Sequence, residues 1–138
     1  MAFNLEGIQD LSNCTKEVAG TTSLTVGQLI KDNGSGYAVD AGVGATNITI
    51  LGLVRVAADN SAGANGDISV TYTPLPPSQW LKGLTDKTPL AAMIGKLCLL
   101  QDGNTIDTDG SPAAGVIGFK ICAIVDATNK IVKGYLSL

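Results

Sequence analysis

The chain has 138 residues, enough for one domain or for two very small units sharing a core. Its formal net charge is −3, with one arginine, Arg55, among nine bases, so it lacks the basic footprint of a nucleic-acid binder. Histidine is absent, which removes Ser-His-Asp and Cys-His catalysis and most zinc chemistry.

Charged residues make up 15% of the chain against about 25% in an ordinary soluble domain. Hydrophobic residues reach 45%, so part of the apolar surface is expected to lie under other subunits. The uncharged run from Ala41 to Val54 is too short to cross a membrane and contains three glycines. Met1 to Glu6 has no basic stretch followed by an apolar run, so synthesis and folding in a cytoplasm are expected.

In chain order, residues 1–20 form an N-terminal arm. Leu5, Ile8 and Leu11 recur every three residues, which fits a short helix or an extended arm ordering on a neighbour. Phe3 belongs to the same docking set. Residues 21–73 make a first β unit. Leu24 to Lys31 is strand-like and turns at Asp32-Asn33-Gly34-Ser35-Gly36, and Tyr37-Ala38-Val39 returns. The centre of this unit is a strand–loop–strand from Asn47 to Thr73. Alternation places Ile48, Ile50, Val54 and Val56 on one face and Leu51 and Leu53 on the other. Apolar residues on both faces predict a strand covered twice, by its own core and by something else. Leu51 and Leu53 are therefore candidate interface residues.

Residues 74–95 are a connector holding Pro74, Pro76, Pro77 and Pro89, which a sheet interior would exclude. Trp80, the only tryptophan, lies there as a further candidate contact, and Thr88-Pro89 opens a short helix through Met93. Residues 96–138 make a second β unit with turns at Asp102-Gly103-Asn104 and Asp107 to Pro112.

The second unit echoes the first. Val26-Gly27-Gln28-Leu29 parallels Ile94-Gly95-Lys96-Leu97 at an offset of 68, and Asp40-Ala41-Gly42 parallels Thr108-Asp109-Gly110. Ile50 to Val54 parallels Val116 to Lys120 at an offset of 66. Matches in constant order with drifting spacing point to a duplicated unit with loop insertions. The expected fold is mainly β: a small barrel or sandwich of two related half-units, with an arm and a short connector helix.

Asp102, Asn104, Asp107 and Asp109 offer oxygens at alternating spacing, but no glutamate closes the loop. Two hairpin turns use the same letters, so no metal or cofactor is assigned. Cys14, Cys98 and Cys122 lack metal spacing. Cys98 and Cys122 read as small buried hydrophobes, with a disulfide between them the lesser alternative. With no convergent polar groups, an enzyme is not expected.

The acidic, glycine-rich, aromatic-poor β chain, with its Val26-Gly27-Gln28-Leu29 opening and Ile50-Leu51-Gly52-Leu53-Val54 segment, resembles the capsid decoration (cement) proteins of bacteriophages. That resemblance implies small β-barrels, trimers for preference, on the outer surface of the virion head, holding neighbouring major capsid protein subunits together. The alternatives are a tail, baseplate or head-fibre component, and a carbohydrate-binding module on the virion surface. One Trp and three Tyr give little for sugar stacking.

Overall fold

A computed structural model describes residues 3–5, 13–76 and 78–137. The expected Ile8 and Leu11 contacts lie outside these residues. The fold is mainly β, with thirteen strands and no α-helix among the described residues. In chain order the strands are β1 (Asn4–Leu5), β2 (Cys14–Glu17), β3 (Thr22–Leu24), β4 (Leu29–Asp32), β5 (Ala38–Asp40), β6 (Ile50–Val56), β7 (Ala58–Asn60), β8 (Ser69–Thr73), β9 (Leu81–Leu84), β10 (Leu97–Leu100), β11 (Ile106–Asp107), β12 (Gly118–Asp126) and β13 (Ile131–Leu136). The connector's helix is one 3-10 turn, Ala91–Met93.

The first sheet has the order β2-β8-β6-β4-β5 and the second β1-β9-β13-β12-β10-β11. Strands β3 and β7 form a separate ribbon. Replacing β2, β4, β5, β6 and β8 by β9, β10, β11, β12 and β13 turns the first order into the second, which carries β1 in addition beside β9. Isolated parallel bridges also join Val18, just past β2, to Ala38 of β5, and Thr85, just past β9, to Ile106 of β11.

The correspondence extends to register. Leu53 faces Thr73 and Val54 faces Tyr72, as Lys120 faces Tyr135 and Ile121 faces Gly134. Both hairpins then carry a bulge at the next residue, Arg55 in one and Cys122 in the other. Both β4 and β10 are entered through a left-handed glycine, Gly27 at φ 86° and Gly95 at φ 89°. The Gly27 N–H donates to Val54 O and the Gly95 N–H to Ile121 O, at 3.0 and 2.7 Å. These registers set the offset of the β6 and β12 strands at 67, from Leu53 to Lys120, so the sequence match of Gly52 to Gly118 is one residue out.

Two apolar clusters fill the molecule. One lies within the first half: Val18, Leu24, Ile30, Ala38, Val54, Ala58 and Val70. The other joins the halves. It packs Leu29, Ala41, Ala45 and Leu53 of the first against Leu81, Cys98, Leu100, Ile106, Ile117, Phe119, Ile121, Val132 and Leu136 of the second. The Leu29 N–H donates to Gly103 O at 2.7 Å, the Ile117 N–H to Ala45 O at 2.7 Å, and Asp40 Oδ1 accepts the Gly103 N–H at 2.8 Å. A Cβ on Gly103 would lie 2.3 Å from Leu29 O and 2.4 Å from Asp40 Oδ1, so this contact requires glycine.

Three expectations are overturned. Simple alternation fails across 48–56 because bulges reset it: Lys31 pairs with Ile50 while Ile30 pairs with Gly52, leaving Leu51 extra, and Arg55 is extra further on. Ile50 and Leu53 therefore reach the shared cluster, while Leu51 and Val54 reach the other. Ile48 is 90% and Val56 59% exposed. Leu24 to Lys31 is not one strand, because the turn at Gly27 divides it into β3 and β4. Phe3 is fully buried rather than held out for a neighbour: its ring sits 5.9 Å from that of Phe119, and β1 pairs with β9.

Candidate interaction face

Phe3 and Leu53, two of the expected interface residues, are 0% and 1% exposed and lie in the shared core. The second cover that the apolar pattern of β6 demands is the other half of the same chain. Leu5 and Leu51 are half-buried, packed against the shared and the first-half clusters. Trp80 alone of the described set is well exposed, at 42%.

Trp80 belongs to a face that register builds on the second sheet. Directly opposed residues share a face, so Leu97, Lys120 and Tyr135 form one row across β10, β12 and β13. Trp80 extends that row, its ring edge-on to Tyr135 at 5.8 Å. Asn4, Lys82, Lys133 and Ala123 form the adjacent row across β1, β9, β13 and β12. Lys133 Nζ lies 5.4 Å from the Trp80 ring centroid, a cation–π contact. Among the described residues the two rows hold three lysines, a tryptophan and a tyrosine. Sequence reasoning passed over all of these but Trp80. The signal is the alternation Val132-Lys133-Gly134-Tyr135-Leu136, which sends Lys133 and Tyr135 to the side away from the core.

The carboxylates gather elsewhere. Asp86, Asp107 and Asp109 place oxygens within 4.8 Å of one another at the seam where β9 meets β11. Asp86 Oδ1 accepts from the Thr108 N–H at 3.0 Å and its hydroxyl at 2.8 Å. Asp107 Oδ1 accepts from the Asp109 and Gly110 N–H groups, and Asp109 pairs with Lys87. These bonds close a turn and the seam. Asp102 Oδ1 accepts the Asn104 N–H at 2.7 Å in a separate turn, so the alternating oxygens of the sequence divide between two structures. Burial pushes the Asp86 carboxyl up, but the bonds from Thr108 outweigh it and leave the group below its ordinary range. All three thiols are free, and burial raises the pKa of Cys98.

No family model, curated protein or solved structure matches the chain. No helix among the described residues is long and apolar enough to cross a membrane.

Proposed function

We propose that the chain is a structural binding module that decorates a bacteriophage head and cements neighbouring major capsid protein subunits. The observation carrying this reading is the repetition of one pairing scheme, bulge included, in two halves of one chain. We read the halves as related half-units, each curled toward a five-stranded barrel, that descend from one duplicated unit. A framework presented twice suits a partner that is itself repeated, and a shell is such a partner. Modest contacts to two or three neighbouring subunits act at high effective concentration and sum to firm retention. A homotrimer near a symmetry axis would repeat the same patch around it. Binding only the assembled state also stabilises that state by mass action, which is cementing in thermodynamic terms. A second reading, a carbohydrate-binding surface on the virion, draws on the exposed Trp80 beside Tyr135.

Mixing the purified chain with mature capsids, precursor shells and soluble coat subunits tests the proposal. Strong retention on mature capsids, together with greater heat resistance of the decorated particles, is the expected result. Equal affinity for the soluble subunit, or particles no more stable than bare ones, would overturn it in favour of a tail component or a sugar-binding module.

A further inference from the structure

The register equivalence identifies a strand edge that is filled in one half and open in the other. In the first half β3 and β7 keep the register of β4 and β6. Five residues back from Leu29 and five on from Leu53 stand Leu24 and Ala58, which pair. Both are buried in the first-half cluster, at 1% and 6% exposure. The same steps from the pair Leu97 and Lys120 lead to Ala92 and Val125, and that pair is not made. Ala91–Met93 coil into the 3-10 turn instead, while β12 runs on to Asp126. Among the described residues, β13 alone pairs with residues 123–126 of β12.

The open edge has the chemistry of a docking strand. Its residues are Ala123-Ile124-Val125-Asp126, without the lysine or proline that commonly blunts an edge. Val125 is 46% exposed, and Leu90 and Ile94, on either side of the 3-10 turn, are 60% and 48% exposed. Leu90, Ala91 and Ala92 are exposed in succession, an apolar run that a surface keeps for function. We infer that residues 123–126 take up an extended, uncharged segment of a protein partner as an added antiparallel strand. An apolar side chain of that segment rests against Leu90, Ile94 and Val125. Strand β3 supplies the precedent: Thr22-Ser23-Leu24 is uncharged, runs antiparallel to β7 and buries its leucine. Charge selects the same occupant. No charged residue lies between Thr88 and Gly95, and the Asp126 carboxylate already accepts from the Asn129 N–H and side-chain amide, at 3.1 and 2.7 Å. The edge also continues the candidate face, since Ala123 ends the row that crosses β9 and β13. The inference rests on the binding-module reading but not on the partner being a shell.

Amide NMR spectra of the full chain, titrated with an end-blocked peptide of its own residues 20–26, test the inference. The amides of residues 123–126 should shift saturably, with a Kd of about 1 mM or tighter. The same peptide carrying Leu24→Lys should bind at least about ten-fold more weakly. In the chain, Val125→Lys should weaken binding at least about ten-fold. Leu90→Ser/Ile94→Ser should weaken it about five-fold, and this variant decides if Val125→Lys does not fold by circular dichroism. Val43→Ser/Ile48→Ser, at exposed positions of the first half, should leave it unchanged. No saturable shift at residues 123–126, equal binding of the Leu24→Lys peptide, or shifts confined to β3 and β7 would overturn the inference. Shifts at residues 123–126 that follow chain concentration without peptide would overturn it too and assign the edge to a second copy. Because no capsid is present, these outcomes are independent of the cementing test.

Discussion

The two halves share strand order, register, a bulge and the glycine that opens β4 and β10, yet they differ in what covers them. The first sheet is apolar on both sides: Ile30, Val54 and Val70 pack inside their own half, while Leu29 and Leu53 pack on the second. The second sheet buries one side and turns lysines and aromatics outward on the other. The β6–β8 connection is also the longer and carries β7, which pairs with β3, whereas β12 turns into β13 within four residues, 127–130. A backbone framework can thus be held constant while its outer face passes from core to surface by substitution at a few registered positions.

The largest expected effect separates the N-terminal strand from any purely docking role. Phe3→Ala should destabilise the free protein by about 3–5 kcal/mol, read by chemical denaturation, because the ring is wholly buried against Phe119. A loss within error would return residues 3–5 to assembly alone. Next comes the joint between halves. Gly103→Ala forces a methyl against Leu29 O and Asp40 Oδ1 and should cost about 1–3 kcal/mol. A change in m-value as well would mean that the halves unfold separately once the joint is loosened.

Gly27→Ala and Gly95→Ala sharpen the comparison itself. Both glycines hold left-handed backbone and make equivalent hydrogen bonds, so each substitution should cost about 1–2 kcal/mol and the two should agree closely. Unequal losses would show that the matched geometry carries unequal strain.

The smallest effect is the response to acid. Asp32 in the first half lies below its ordinary value, held there chiefly by the Gly34 N–H and then by Lys16, at 3.1 Å. Asp86 in the second half is lowered as well. A lowered folded-state pKa gives stability that is complete above the ordinary carboxylate range and is lost as pH falls through the lowered value. Melting temperature should therefore drop below about pH 4, and Asp32→Asn and Asp86→Asn should each flatten that drop. A wild-type profile that is flat to acid would contradict both assignments.

Much of the framework is legible in the sequence because turns are local. Gly27 and Gly95 announce equivalent strand entries, and the prolines at 74, 76 and 89 keep most of the connector out of the sheets. What escapes is non-local. Cys14–Glu17 is polar and short, and Leu81–Leu84 sits among prolines, yet each pairs along its whole length with a strand far down the chain. Bulges at Leu51 and Arg55 cannot be read from alternation, so Ile50 reads as sharing a face with Val54 when it packs on the side of Leu53. The lysine–aromatic face escapes because its members lie on strands β9, β12 and β13 and in the connector, and register alone assembles them.

Hydroxyl-radical footprinting of the chain, free and bound to mature capsids, tests most directly whether the second half's outer face is the contact surface. In the free chain Trp80 and Tyr135 should be oxidised and Leu53 protected. On the particle Trp80 and Tyr135 should become protected by several-fold while the exposed Ile48 and Val43 of the first half serve as internal references. Oxidation of Trp80 and Tyr135 that is unchanged on a decorated particle would contradict the account.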